Sequence, residues 1–418
     1  MSVRIISVFL VLVAMLGVAT IFVIRRPPLP YTLEQLELDP DLQNRICHER
    51  LEIWDSLAYK LVGLNFTRGE WMMWRRSYLP IYPPGHPLVL GVVLAATSHS
   101  MEAVKTYSEI MVILSGFLIF LLWRRYTPDA AYIALIILSS YPLVDYSRFD
   151  MSEHSCYPFL LGLLASCRPG RLHWPVVGGL FAAIILMRDL GAPLAVAMAA
   201  YAMFLKMYPN PDRPHWMLAA KCACIMTGLV GFYLIYQYVF RAIILSNHLP
   251  YLAPGNVLNY VAWALKYREW GSVFPFGSRI LGLGNFILSP SLFGNQLPGG
   301  RFLPPEFRIE WLSWLGWIAA LVIVAVIARG FWAQRRDWWF EDFFVMVYVP
   351  FIVLVVPGYE DRYWLPIATA LVRYFLEGIR LFIAKPLFVS TNWIERLVGI
   401  LCGVSISTNL VTMKFLGW

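Results

Sequence analysis

The chain has 418 residues, of which 59% are hydrophobic, 16% aromatic and only 14% charged. Soluble domains carry about 45–50% apolar and about 25% charged residues, so the composition excludes an ordinary soluble globular protein. The net charge of +8 is assigned to Lys/Arg loops that set membrane orientation, and no nucleic-acid partner is expected.

The surplus of apolar residues falls in repeated runs of about 15–23 residues, the length a helix needs to cross a bilayer core of about 30 Å. Hydrocarbon leaves free backbone N–H and C=O groups unsatisfied. The expected fold is therefore an all-α polytopic membrane protein forming a single integral membrane domain over residues 1–418. Ile5 to Ile24 is the first predicted span, with Met1 to Arg4 inside. No small-residue cleavage site precedes Arg25, so this span reads as a retained anchor.

Residues 25–106 follow as a long first outer loop. It is too polar to cross a bilayer and too rich in acids and aromatics for a plain linker. It holds Glu49, Glu52 and Asp55, then Tyr59, Asn65 and Phe66, then Trp71, Trp74, Arg75, Arg76 and the run Tyr82-Pro-Pro-Gly-His-Pro-Leu88. Pro87 to Thr97 is apolar but short. If it crossed, Arg124-Arg125 and Arg335-Arg336 would both lie outside, against the positive-inside rule. It is therefore assigned to a helix lying in the outer interface; Arg25-Arg26 is the one basic pair that breaks the pattern.

Basic clusters then alternate with the spans. Tyr107 to Trp123 runs inward to Arg124-Arg125, Ala130 to Tyr146 returns outward, and Tyr157 to Ser166 descends to Arg168 and Arg171. Trp174 to Met187 rises to Arg188-Asp189, Leu190 to Met207 descends, and Trp216 to Leu245 goes out again. Residues 246–310 form a second long outer loop, within which Gly277 to Phe293 is read as interfacial or re-entrant. Trp311 to Phe331, Phe343 to Val356, Trp364 to Ile383 and Leu397 to Thr412 complete about eleven transmembrane helices, N-terminus inside and C-terminus outside. Six cysteines are scattered in or beside apolar runs, where Cys acts as a small hydrophobe. No metal-ligand spacing occurs.

Charged residues at membrane depth are costly and seldom idle. Arg148, Asp150, Glu153, Arg188, Asp189, Glu360, Asp361 and Arg362 all sit at or near predicted outer span ends. Singly, each reads as a solvated helix end or half of a salt bridge. Three such corners on one face, with an acidic first loop, point to a shared polar site. The aromatics Trp71, Trp74, Tyr82 and Tyr363 fit either an interfacial belt or a surface for a sugar ring or prenyl chain.

The order of these features resembles the GT-C glycosyltransferases, specifically bacterial polyprenyl-phosphate-sugar-dependent transferases of the protein O-mannosyltransferase and aminoarabinose transferase type. Asp55, Tyr59, Asn65 and Phe66 match the spacing of the family's first outer loop, with Gly63 where Ala is usual. Tyr82-Pro-Pro-Gly-His-Pro-Leu88 resembles Tyr-Pro-Pro-Gly-Tyr-Pro-Leu, with His86 replacing Tyr. Tyr146-Ser-Arg-Phe-Asp-Met-Ser-Glu153 is similar to the family's aromatic-Ser-Arg…Ser-Glu corner, with His154 for the usual Pro. The segment ending Met187-Arg188-Asp189 resembles one ending Thr-Arg-Pro, and Glu360-Asp-Arg-Tyr-Trp-Leu-Pro366 resembles Glu-x-Arg-Tyr-Leu-Leu-Pro.

The resemblance implies transfer of a sugar from a polyprenyl-phosphate-linked donor to a lipid, glycan or protein acceptor. It implies an active site facing the periplasm or exterior of a bacterial inner membrane. A first-loop carboxylate, Asp55 with Glu52 as its rival, is expected to act as general base. Guanidinium groups suit the phosphate leaving group, because they stay charged and bind it bidentately. Arg362 and Arg188 are the first candidates for that role, and Arg148 the third. Tyr59, Tyr82, His86, Asp150, Glu153, Glu360 and Tyr363 complete the expected substrate-binding set. Some related enzymes use a divalent metal, though no residue here requires one. The competing expectations are a transporter or flippase of a lipid-linked saccharide, and a non-catalytic membrane scaffold.

Overall fold

The computed structural model describes residues 31–48, 54–70, 73–74, 77–78, 83–127, 129–140, 143, 150–168, 172–188, 190–210, 213–240, 296–297, 301–302, 310–354, 361–387, 399–400, 403–404 and 407. Regular structure among them is helical apart from two short antiparallel ladders. In chain order come α1 (Leu33–Leu38), α2 (Pro40–His48), α3 (Trp54–Thr67), β1 (Met73–Trp74), β2 (Ser77–Tyr78), α4 (Gly85–Ala96) and α5 (Met101–Trp123). These are followed by α6 (Ala130–Leu138), α7 (Ser152–Ser166), α8 (Trp174–Met187), α9 (Gly191–Met207) and α10 (Trp216–Phe240). The remainder is β3 (Gln296–Leu297), β4 (Arg301–Phe302), α11 (Glu310–Ala333), α12 (Phe340–Leu354), a 3-10 helix over Asp361–Ile367, and α13 (Ala368–Leu387). The first predicted span, the interfacial segment from Gly277 to Phe293 and most of the last span lie outside the described residues.

The chain divides into two compact units, one of residues 25–111 with 146–263, the other of residues 1–24, 112–145 and 264–418. In the first unit α1 and α2 fold onto α3 and α4. Thr32 caps α1 reciprocally with Gln35: the Gln35 N–H donates to Thr32 Oγ1 at 3.2 Å, and the Thr32 N–H donates to Gln35 Oε1 at 2.9 Å. Asp39 then caps α2, its Oδ1 accepting from the N–H groups of Asp41 and Leu42 at 3.0 and 2.9 Å. Two orphan donors at each helix start are thereby satisfied. Leu33, Leu36, Leu42 and Ile46 are buried with Leu57, Leu61 and Leu64 of α3 and Leu90 and Leu94 of α4 in one apolar core.

Glycine sets how closely α3 and α4 cross. A Cβ on Gly63 would meet the Pro87 carbonyl oxygen at 3.0 Å, and one on Gly91 would meet the Gly63 oxygen at 2.8 Å. Gly85 does the same at the start of α4, where a Cβ would stand 2.7 Å from the Leu186 carbonyl near the end of α8. That contact places the Pro-Pro-Gly-His run beside the Arg188 end of α8. The turn from α4 to α5 passes through Ser98 and His99 with φ of 51° and 63°. The His99 N–H closes back on the Leu94 carbonyl at 2.8 Å. The His99 ring is held by Glu34 at 2.9 Å and Thr67 at 3.3 Å, contacts that offset the left-handed backbone.

In the second unit, α11 and α13 cross at Gly330 and Gly378. A Cβ on Gly330 would stand 1.9 Å from the Tyr374 carbonyl oxygen, and one on Gly378 would stand 2.0 Å from that of Val326. Asp342 starts α12 by accepting the Trp339 N–H at 2.8 Å, and it also accepts from Arg373 and the Tyr374 hydroxyl. Arg380 clasps Asp129 through both terminal nitrogens. Polar side chains facing a protein core must be paired in this way, because neither lipid nor apolar side chains hydrate them.

Several predicted boundaries shift. The helix expected from Tyr107 begins at Met101, because Ser100 Oγ accepts the Ala103 N–H at 3.3 Å and caps the preceding turn. The helix expected from Tyr157 begins at Ser152, because Ser152, Glu153 and Ser155 of its first turn find partners in Tyr59, Arg188 and Tyr107. The helix expected over Ala130 to Tyr146 closes at Leu138, where Ser139 and Ser140 hydroxyls bond back to the carbonyls of Ile136 and Ile137.

Candidate functional site

The predicted site residues of the first unit converge on the start of α7. Asp150 precedes that helix with φ of 51°, a left-handed conformation that Asp adopts more readily than most residues. Its carboxylate is wholly buried and lies 2.8 Å from the Lys60 ammonium. Ser108 donates a short hydrogen bond to the same carboxylate. The Asp150 backbone carbonyl lies 2.8 Å from His86 Nε2. A carbonyl only accepts, so Nε2 carries the proton and Nδ1 is the bare nitrogen of the neutral ring.

Two residues further, Ser152 is the meeting point of three elements. Its Oγ lies 3.4 Å from the Tyr59 hydroxyl of α3, donates to Glu153 Oε2 at 3.4 Å, and accepts from Arg188 Nη1 at 3.2 Å. Arg188 also pairs with Glu153 Oε1 at 2.7 Å; the arginine side chain is 16% exposed and the glutamate 3%. The cation is thus the member of the pair that reaches the surface. His154 packs between the rings of His86, at 5.6 Å, and Tyr107, at 6.1 Å, and Tyr107 donates to Ser155 at 2.9 Å.

These surroundings set protonation states in the outer-loop helices. Burial pushes the His86 imidazole down to about 4, against the smaller upward pull of the Asp150 carbonyl and carboxylate. Burial raises the Tyr59 phenol well above its ordinary value, and the negative charges of Glu153 and Asp55 push the same way, opposed by Ser152 and Arg188. Near neutral pH Tyr59 is therefore a protonated hydroxyl and His86 a neutral ring.

Asp55 sits in the first turn of α3, half-buried, one helical turn before Tyr59. Its charge reaches the Tyr59 hydroxyl, so it stands near the cluster. Tyr59, His86, Asp150, Glu153 and Arg188 are brought together. Glu52, Tyr82, Arg148, Asp189 and Glu360 lie outside the described residues. Arg362 and Tyr363 fall in the 3-10 helix of the other unit, and Tyr363 is half-buried. Among the described residues, no group of three or more His, Cys, Asp or Glu is arranged to hold a metal ion.

Sequence reasoning missed Lys60, Ser108, Ser152 and Ser155. Lys60 could have been found: it is the one basic residue in an otherwise apolar helical stretch, on the loop that carries Asp55 and Tyr59. Ser152 stands in the quoted Ser-Glu corner, whereas Ser108 and Ser155 carry no comparable signal.

No protein-family model matches the sequence, and no curated protein matches it. Among solved structures, the chain is similar to the archaeal oligosaccharyltransferase AglB from Archaeoglobus fulgidus in complex with an inhibitory peptide and a dolichol-phosphate. The TM-score is 0.55 at 13% identity, covering 97% of this chain and 55% of that one, so the chain spans about half the length of that structure. At this identity the likeness is one of fold. Together with α5 and most of α10, which are long and apolar enough to cross a membrane, it gives the described residues a predominantly helical fold like that of the AglB structure.

Proposed function

We propose that the protein is a glycosyltransferase that moves a sugar from a polyprenyl-phosphate-linked donor to a lipid, glycan or protein acceptor at the outer face of a bacterial inner membrane. The observation that carries this reading is the meeting of Tyr59, Glu153 and Arg188 on Ser152. These residues come from separate stretches of the chain, each singled out by its likeness to a GT-C motif. The fold likeness supports the same class of chemistry, since the AglB structure was solved with a dolichol-phosphate and a peptide.

Asp55 acts as general base toward the acceptor hydroxyl. It stands half-buried in the first turn of α3, one helical turn before Tyr59. Arg188, the more accessible member of its ion pair, binds the donor phosphate. Glu153 holds the Arg188 fork in place, and Tyr59 offers a protonated hydroxyl beside it. The first outer loop, residues 25–106, covers this site; residues 246–310 form the second outer loop.

Asp55→Asn preserves size and removes the charge. It should lower turnover by about a hundredfold or more while donor binding and melting temperature hold. Transfer at the parental rate by Asp55→Asn, with loss in Glu52→Gln, would move the base one helical turn earlier. The reaction itself is read by mass spectrometry of lipid-linked sugars and surface glycans in cells with and without the gene. A lipid-linked sugar should accumulate in the deletion, and unchanged pools of both would remove the glycosyltransferase reading.

A further inference from the structure

Lys60 is a buried cation that the proposed chemistry does not use. Its side chain is 1% exposed, and its ammonium lies 2.8 Å from Asp150 Oδ2. The other carboxylate oxygen, Oδ1, accepts the short hydrogen bond from Ser108 of α5. The Asp150 carbonyl accepts from His86 Nε2 of α4. One residue is thus gripped from α3, α4 and α5, by its side chain and its backbone at once.

A buried ion pair contributes little net stability, because desolvating the two charges offsets their attraction. What this pair fixes in space is of more consequence. Asp150 holds φ of 51°, a left-handed backbone that is costly for a residue with a Cβ. Met151 follows with φ of −78° and ψ of 158°, extended, at the N-cap position of α7. Its side chain is buried in the core shared by α1 to α4. The chain therefore turns over two non-helical residues before entering α7 at Ser152, and the direction of that turn sets where the first residues of α7 point.

Those residues hold Arg188. Ser152 Oγ accepts from Arg188 Nη1 at 3.2 Å, and Glu153 Oε1 lies 2.7 Å from the same nitrogen. They follow Asp150 by two and three residues. A guanidinium is a planar fork, so its hold on a phosphate depends on orientation as well as charge. Releasing the turn at Asp150 would leave the charge of Arg188 in place and its direction unset.

We propose that Lys60 is a positioning residue for Arg188: through Asp150 it fixes the turn into α7 from which Ser152 and Glu153 aim the guanidinium. The inference rests on the reading of Arg188 as the cation for the donor phosphate. Lys60 is closed to the donor and acts through Asp150.

The test separates stability from aim. Lys60→Met with Asp150→Asn removes both charges together, so this double variant should melt close to the parent. The purified full chain in detergent micelles is given equimolar undecaprenyl phosphate and undecaprenol, and native mass spectrometry reads which is retained. The parent should keep the phosphate in at least about tenfold excess, and the double variant should lose about fivefold of that preference. A double variant that melts like the parent and keeps the full preference overturns the proposal. A second measurement needs no ligand. Glu153→Gln and Arg188→Gln, singly and together, should give non-additive losses of stability in the parent and additive ones in the double-variant background. Additive losses in the parent, or equal non-additivity in both backgrounds, overturn the proposal. Ser108→Ala removes one hydrogen bond and keeps both charges; it should move both readings the same way by a smaller factor, and it replaces the double variant in both if that chain does not fold. Equal retention of phosphate and alcohol by the parent would instead overturn the phosphate role of Arg188, and the additivity measurement then decides the positioning by itself.

Discussion

Asp150 fixes the start of α7 through several contacts at once. Its left-handed backbone is tolerated because the Lys60 ammonium and Ser108 hydroxyl hold the carboxylate while His86 holds the carbonyl. Removing one partner of a buried ion pair costs about 3–5 kcal/mol, since the other charge is left without compensation. Asp150→Asn should therefore lower stability by about that amount in chemical denaturation, and Lys60→Met added to it should recover most of the loss. Additive losses would mean the two residues do not act as a pair. His86 gives a pH dependence of known sign. The unfolded chain takes up its imidazole proton near 6.5 and the folded protein only near 4, so stability is full above 6.5 and falls as pH drops through that window. The slope is about 1.4 kcal/mol per pH unit for one proton, or about 3 kcal/mol in all. Melting of the parent and of His86→Gln between pH 7 and 4 should diverge by this amount; parallel curves would remove the effect. The corner of Glu153 and Arg188 was legible in the sequence, because charges at span ends are conspicuous. The Lys60–Asp150 pair was not, because a lysine in an outer-loop helix reads as a solvated one until its distant partner is known.

At the scale of elements, apolar runs located the helices well and their polar ends poorly. Trp174–Met187 falls where the apolar run predicts it. The α5 and α7 starts were missed because hydropathy stops at the first polar turn, whereas the helix continues wherever caps or neighbouring side chains satisfy that turn. Helix crossings left no signal, since a lone glycine looks the same whether or not another backbone approaches it. Three glycines separate these cases. A Cβ on Gly179 meets nothing within 4 Å, one on Gly63 meets Pro87 oxygen at 3.0 Å, and one on Gly330 meets Tyr374 oxygen at 1.9 Å. Gly179→Ala should be neutral or gain up to about 1 kcal/mol of helix propensity. Gly63→Ala requires a shift of a few tenths of an ångström, so its loss should be small. Gly330→Ala forces α11 and α13 apart and should cost about 1–3 kcal/mol or more. Thermal melts in detergent should rank the three in that order, and an unperturbed Gly330→Ala would contradict the close crossing.

At the scale of the whole molecule, the sequence motifs pointed to a GT-C-like membrane fold, and the fold likeness agrees at that level. Orientation rests on charge and length together. The 23 residues of α5 reach about 34 Å, enough for a bilayer core of about 30 Å. The 12 residues of α4 reach about 18 Å and fall well short. A helix of that length is too short to cross alone, turns back through left-handed residues at Ser98 and His99, and packs along α3 through Gly63 and Gly91. If α4 stays on that side, Arg124-Arg125 and Arg335-Arg336 fall inside, as the positive-inside rule asks; if it crosses, both move out. Single cysteines placed at Ser98, and at Ser246 beyond the described residues, in a background lacking the native cysteines, should both react with an impermeant thiol reagent in intact cells. A cysteine at Tyr208 should react only after the membrane is opened. Labelling at Ser98 confined to opened cells would place α4 across the membrane and invert every later span.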